Sequence, residues 1–420
     1  MLSGVMAVKC RVSGGALTPV LDLGNQYIND FVDHINLEAP RSPLELGIGE
    51  TSGLLQLMTS VPSDMLYRQY WYRSGTNSTM PRQLGDIVNH VPAWVRLKAG
   101  DHVLDIGCND GTLLKQYPVE PKIVKVGIDP AKNIAPFGRE VCDLHANDYF
   151  TKGAYLALTG GVKAKVITSI AMFYDLEDPH SFVEDIRECL DDRGVWILQL
   201  SYTPLMLKQN AFDNIVHEHI EYYTLTTIDR VIREHDLKVL SVDFNDVNAG
   251  SIRVVVAHNR YDGRDTTLFD RDIGEYQYNA VMAYENKIGA DRPEAVYDFR
   301  QRIEQRREQT VDLLTSLKKQ GKTVYGYGAS TKGNTLLQYY GIDSSLITAI
   351  AERQAFKVGK LTVGSWVPIV SEEEMRAAKP DYLFVFPWHF FNEFYRREVD
   401  FLKRGGKFIL PLPDLQVIGS

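Results

Sequence analysis

The spacing of apolar and polar positions divides the chain into four stretches. Residues 1–90 carry short β-like runs, 17–23 and 54–58 among them, broken by Gly and Pro, which predicts a small coil-rich N-terminal domain. Over 91–265 the pattern becomes one of strands alternating with helix-length segments. His102-Val-Leu-Asp-Ile106 reads as a buried strand running into a glycine turn, with a helix from Thr112 onward, and 124–129, 165–170 and 194–200 read as further strands. That alternation predicts an α/β fold with a doubly wound, largely parallel sheet, whose ligands bind at the carboxyl ends of the strands. Residues 237–244 and 248–257 fit antiparallel strands closing the sheet. A helical connection follows over 266–320, strongest at 295–318, where Val296, Phe299, Ile303, Val311, Leu314 and Leu317 recur at helical intervals before Gly321. Residues 321–420 repeat the strand, glycine turn and helix plan, with strands at 346–352, 382–386 and 407–411. They predict a second, C-terminal Rossmann-like unit.

Composition narrows the partners. At 420 residues, 44% hydrophobic and 24% charged, the chain is globular material sufficient for two or three cores. A net charge of −8 argues against nucleic acid as partner, because such binders concentrate Lys and Arg. No apolar run approaches membrane-spanning length and the N-terminus does not read as a signal peptide, so a cytoplasmic protein is expected. Cys10, Cys108, Cys142 and Cys189 form no CxxC pair, which predicts neither a disulfide framework nor a cysteine metal site.

Chemistry gathers in three places. The turn Asp105-x-Gly107-Cys-Asn109-Asp-Gly111 lacks the third glycine of a dinucleotide fingerprint and keeps an acid within the strand, while Asp129 follows about 20 residues on, placed to accept ribose hydroxyls. That form suits S-adenosylmethionine, which has no pyrophosphate to cradle. Gly107 and Gly111 would let the backbone approach it, Asn147 and Asp148 fit either a contact with its adenine or a plain surface turn, and the loop holding Phe173 would cover its methionine end. The second place is 210–224, where His217, Glu218 and His219 offer a base and a carboxylate in a stretch rich in aromatic residues; of the two histidines, His219 is the candidate base. Upstream, Tyr67-Arg-Gln-Tyr70-Trp71-Tyr72-Arg-Ser-Gly75 fits either a packed aromatic cluster or a substrate wall, with Tyr70 or Tyr72 as the hydrogen-bonding phenol. The third is Gly326-Tyr-Gly328-Ala-Ser330-Thr331-Lys332-Gly333, an anion site at a helix start that lacks Walker spacing.

These segments, together with Gly53-Leu-Leu-Gln-Leu57, Phe212-Asp-Asn214, Tyr222-Tyr223, Gly250-Ser-Ile-Arg253, Pro380-Asp-Tyr382 and Trp388, resemble the three-domain S-adenosylmethionine-dependent C-methyltransferases that act on nucleotide-linked deoxysugars. The resemblance runs along nearly the whole chain. It implies a class I methyltransferase domain holding the donor and a C-terminal domain helping to hold the nucleotide-sugar. It further implies His219 as base with Glu218 beside it, and Asn214, Tyr222, Arg253, Ser330, Thr331 and Lys332 at the acceptor. Two departures stand out. The family's N-terminal zinc site retains only Cys10 here, with Ser13, Gly49 and Ser52 at the other ligand positions, so no zinc is expected; and Val216 stands where relatives often carry a tyrosine. The expected partner is a small nucleotide-sugar, and the expected assembly a monomer or weak homodimer. Two other readings compete: an O-methyltransferase on a sugar or other hydroxylated acceptor, and a non-catalytic nucleotide-sugar binder.

Overall fold

Buried strands with apolar faces on both sides require cover on both sides, and the middle of the chain supplies it. In the computed structural model, which describes residues 9–70, 72–76, 79–247, 250–261 and 270–419, seven strands form one sheet. Its order is Leu237–Asn245, Ser251–His258, Leu190–Ser201, Ala164–Ile170, His102–Ile106, Val124–Ile128 and Leu144–Ala146. The last five are parallel and the first two antiparallel, the closing pair that the sequence predicts. Trp71 of the aromatic segment and residues 248–249 of the predicted closing strands lie outside the described residues.

A helix expected from Thr112 is absent as such: only a single 3-10 turn, Leu114–Gln116, follows the glycine turn. Leu113, Leu114 and Tyr117 nonetheless bury themselves against Val103 and Val166, so the segment covers the sheet as a compact loop rather than as a helix.

The C-terminal stretch forms a second sheet of six strands, ordered Ile369–Ser371, Ile350–Glu352, Val324–Tyr327, Tyr382–Val385, Lys407–Leu410 and Gln416–Ile418. All but the last are parallel. The helix Pro293–Lys319 leads into it, burying Val296, Phe299, Ile303, Leu314 and Leu317 as its periodicity predicts.

The N-terminal strands Leu17–Tyr27, Arg41–Gly49 and Leu55–Leu57 form a small sheet completed by Glu221–Tyr222 from the far end of the base-bearing stretch. This sheet shares one apolar core with the C-terminal sheet, whereas Cys10, Val12 and Leu54 join the core of the seven-stranded sheet. The residues 210–224 are thereby wedged where these three sheets meet. Cys10, Ser13, Gly49 and Ser52 converge: the Cys10 thiol lies 3.0 Å from the Ser52 hydroxyl and accepts the Ser13 amide at 3.4 Å, and a side chain at Gly49 would strike both Ser52 and Cys10.

Candidate active site

At the carboxyl end of strand His102–Ile106 the chain turns through Gly107, whose φ of +70° favours glycine and whose amide donates to the Ile128 carbonyl at 2.8 Å. Gly111 has a φ of +75°. A Cβ there would meet Val141 at 2.8 Å, so it permits packing between chain segments. Asp129 ends the neighbouring strand, and its two carboxylate oxygens accept the amides of Asn109 and Ala131, each at 2.8 Å. Each oxygen keeps a further lone pair for a hydroxyl. Asp105 lies beneath the turn, 4% exposed, taking the Thr168 hydroxyl at 2.6 Å; burial pushes its carboxyl up to about 7. Burial likewise raises Asp129 against its two backbone bonds. Among the described residues, neither carboxyl is hydrogen-bonded to a cationic side chain. Two buried acids beside a glycine turn fit a ligand carrying hydroxyls and positive charge, as S-adenosylmethionine does, and oppose a pyrophosphate.

The remaining donor-side residues divide. Asn109 uses its side chain on the aromatic segment, accepting the Ser74 amide at 3.1 Å and donating to the Tyr72 carbonyl at 3.1 Å. Asn147 donates to the Asp129 carbonyl at 2.8 Å and so fixes the strand end that presents Asp129. Asp148 is exposed and ion-paired with Arg68 at 3.7 Å. Phe173 does not line the site: it is fully buried among Phe182, Trp196 and Tyr223, and Met172 is the side chain that faces Gly107.

On the acceptor side, the stretch after Asn210 is held rigidly. His217 is buried and bonds the Ser42 carbonyl at 3.0 Å; burial pushes its pKa down to about 4, against that bond, which favours the protonated ring. His219 places Nδ1 2.9 Å from the Asn214 carbonyl. A carbonyl only accepts, so Nδ1 carries the proton and Nε2 carries the lone pair. Burial, aided by the Lys332 charge, lowers this histidine to about 3, keeping it neutral in the free protein. The Tyr174 ring packs edge-on at 4.4 Å, and the Tyr222 hydroxyl donates to the His219 carbonyl at 2.9 Å, fixing the base from two sides. Glu218, raised to about 7 by burial, presents its backbone carbonyl to the Tyr67 hydroxyl at 2.6 Å.

The C-terminal sheet closes this side. Ser330 caps helix Thr331–Tyr340, its hydroxyl accepting the Gly333 amide at 3.0 Å, and Thr331 is the first residue of that helix. Lys332 reaches from the first turn to the Asn214 amide oxygen, within the field of Asp213 and Glu218. One residue, Asn214, therefore touches both the cation and the base. Arg253 is buried, donating to Gln199 at 3.0 Å and to Asp86 at 2.9 Å, and it ties helix Thr79–His90 to the sheet.

Several groups escaped the sequence reading. His389 feels the same Lys332 charge and is lowered to about 3, chiefly by burial. A cleft lined by Tyr174, Ser201, Thr203, Asn214, His219, Glu221 and Tyr222 has room for about one water, and the Ser201 and Thr203 hydroxyls in it have no hydrogen-bond partner among the described residues. Asp175, at the end of the loop that carries Met172, is raised well above the usual carboxylate range by burial and by Glu218 and Glu221. The signal missing from the sequence is distance: these groups meet only once the sheets are assembled.

Comparison with known proteins agrees with this layout. Residues 76–242 match the family described as "Methyltransferase domain" and residues 246–413 the "C-methyltransferase C-terminal domain". The C-methyltransferase NovU of Streptomyces niveus is 29% identical over 381 residues, covering 90% of this chain and 88% of its own length. Among solved structures, the magnesium protoporphyrin IX methyltransferase of Synechocystis PCC 6803 with bound SAH is 11% identical, with a TM-score of 0.35 over 44% of this chain and 90% of that one. An S-adenosylmethionine-dependent methyltransferase of Clostridium acetobutylicum ATCC 824 is 14% identical, with a TM-score of 0.33 over 42% of this chain and 91% of that one. Among the described residues no helix is long and apolar enough to cross a membrane, and no group of three or more His, Cys, Asp or Glu is placed to hold a metal ion. With its class I methyltransferase sheet followed by the C-methyltransferase C-terminal domain, the chain is an S-adenosylmethionine-dependent methyltransferase.

Proposed function

We propose that the protein methylates a carbon next to the keto group of a 4-keto nucleotide-linked deoxysugar. The observation that carries this reading is the pairing of a neutral histidine with a lysine through one asparagine: Nδ1 of His219 and Nζ of Lys332 both bond Asn214, leaving Nε2 of His219 as a base beside a fixed positive charge. An O-methyltransferase needs a base for an alcohol; a carbon acid also needs its enolate stabilised by aimed donors, usually the larger contribution. Among the described residues, the candidates are the phenol of Tyr70 or Tyr72 and the hydroxyls of Ser201 and Thr203, which have no hydrogen-bond partner there.

In this reading Asp129 binds the donor's ribose, Asp105 its cationic end, and the segment holding Tyr70 and Tyr72 roofs the turn. Bound S-adenosylmethionine supplies an electrophilic methyl group. His219 takes the proton from the acidic carbon at Nε2, Asn214 steadies the resulting imidazolium through Nδ1, and Lys332 with the start of helix Thr331–Tyr340 pairs the acceptor's diphosphate. Pairing that diphosphate also offsets the lysine charge that holds His219 down, which moves the base toward the pH range where it works best. The sharing of one core by the N-terminal and C-terminal sheets supports the idea that both walls of the acceptor site keep a fixed distance.

The test is incubation with S-adenosylmethionine and a 4-keto nucleotide-sugar deuterated beside the ketone. Methylated product that has lost one deuterium supports the proposal. Methylated product with all deuterium retained and a new methyl ether assigns the protein to O-methylation instead.

A further inference from the structure

The segment after Leu66 crosses the donor site as a strap rather than as a packed loop. Its backbone is bonded piece by piece to the two loops flanking Asp129. The Arg68 carbonyl accepts the Lys132 amide at 3.1 Å. The Tyr70 amide donates to Oδ1 of Asn133 at 3.0 Å, and the Tyr70 carbonyl accepts from Nδ2 of the same residue at 2.9 Å. Farther on, Asn109 repeats the arrangement with Tyr72 and Ser74, and the Gly75 amide donates to Asp110 at 3.0 Å.

A carboxamide bonded to both the N–H and the C=O of one residue imitates a neighbouring strand, and only an amide side chain can do so, because it carries one acceptor and one donor in a plane. The residue held this way is Tyr70. Its phenol lies within electrostatic reach of Glu218 and Asp175 on the base side and of Asp129 on the donor side. Its ring leans on Tyr67 at 6.2 Å, and the Tyr67 hydroxyl in turn bonds the Glu218 carbonyl. Asn133 itself is exposed and four residues from Asp129, on the loop that Asp129 anchors through the Ala131 amide.

We infer that Asn133 is a positioning residue for the transfer reaction: by clamping the backbone of Tyr70 from both sides, it sets that phenol at the junction of the donor and acceptor sites. Asn109 clamps the following turn of the same strap. The inference rests on the reading in which the Tyr70 phenol serves the acceptor, and it adds the residue that places it there.

Hydrogen–deuterium exchange of the purified protein tests the clamp without any turnover. The Tyr70 amide should be protected in the natural protein, and Asn133→Ala should speed exchange in the peptide spanning 66–76 by about tenfold, the factor expected for losing a net hydrogen bond, while leaving the sheet peptides unchanged. Asn133→Asp keeps the acceptor and loses the donor, so its exchange should fall between the two. Unchanged exchange at 66–76 in Asn133→Ala overturns the clamp. Kinetics then test the positioning. Asn133→Ala should lower kcat about tenfold with donor affinity within about twofold, and in a Tyr70→Phe background it should cost nothing further, since the phenol it places is gone. If Tyr70→Phe slows transfer but the two losses multiply, Asn133 does not act through Tyr70 and the inference fails. If Tyr70→Phe alone leaves transfer unchanged, the assignment of Tyr70 to the acceptor fails instead.

Discussion

Replacing Asp129 separates binding from architecture in a way the structure quantifies. Its two oxygens each accept a buried backbone amide at 2.8 Å, from Asn109 and Ala131. Asp129→Ala strands both donors, and at about 1 to 3 kcal/mol for each unsatisfied buried group the variant should lose about 2 to 6 kcal/mol of stability. Asp129→Asn is gentler and more informative. Its one oxygen can satisfy only one of the two amides while its NH2 faces the other, so about 1 to 3 kcal/mol of stability goes. The ribose then loses a charged acceptor, and hydrogen bonds to charged groups contribute about 1.5 to 3 kcal/mol. S-adenosylmethionine should therefore bind the Asn variant roughly 10- to 150-fold more weakly, measured by calorimetry at a temperature where circular dichroism shows the variant folded. NADH should bind neither protein, because its pyrophosphate would meet a glycine turn with the Asp105 carboxyl beneath it and with only the 3-10 turn Leu114–Gln116, not a helix N-terminus, following it. Donor affinity unchanged in folded Asp129→Asn would refute the placement of the ribose, and with it the reading of the glycine turn.

Other outcomes follow from the same geometry. Lys332→Met removes the charge that, after burial, lowers His219, so the acid limb of the kcat/KM profile should move to higher pH in the variant and the acceptor KM should rise with donor affinity unchanged; a limb that stays in place removes Lys332 from the base's surroundings. Glu218, raised to about 7 by burial, binds its proton more tightly in the folded state than the usual carboxyl at 4.5. Its contribution to stability should be present below about pH 4.5 and lost as pH rises through about 7, so Glu218→Gln should flatten the decline in denaturation midpoint between those values. Elemental analysis should find no stoichiometric zinc, since Cys10 with the hydroxyls of Ser13 and Ser52 does not supply four ligands; one zinc per chain would contradict this.

What the sequence discloses is mostly what neighbouring residues decide among themselves. The strands over 102–106, 124–128 and 164–170 are apolar runs bounded by turn residues, and Asp129 stands where the second of them ends. The long helix Pro293–Lys319 buries the residues its periodicity marks except Val311, which is half-buried at the edge of the core. Where local pattern is overridden, tertiary packing does it. The segment after Thr112 meets the sheet through Leu113, Leu114 and Tyr117 in too few residues for a helix, and Phe173 is drawn into an aromatic core that its loop position conceals. Convergence across the chain is the least legible of all. Nothing near Lys332 in sequence announces Asn214, 118 residues away, and nothing near Asn133 announces Tyr70, 63 residues away. Arg253 shows the same limit from the other side: nothing near this motif-like arginine announces its bonds to Gln199 and Asp86, 54 and 167 residues away.

The central claim is that Nε2 of His219 removes a proton from carbon, and His219→Asn tests it most directly. Asparagine approximates the ring's hydrogen bonding to the Asn214 carbonyl without offering a usable base. With S-adenosylmethionine or its demethylated product bound, a 4-keto nucleotide-sugar deuterated beside the ketone should lose deuterium to solvent in the natural protein. In the His219→Asn variant both that exchange and methyl transfer should cease while donor and acceptor affinities stay nearly intact. Exchange continuing at the natural rate in the variant would contradict the account and pass the role of base to Glu218 or to one of the tyrosines.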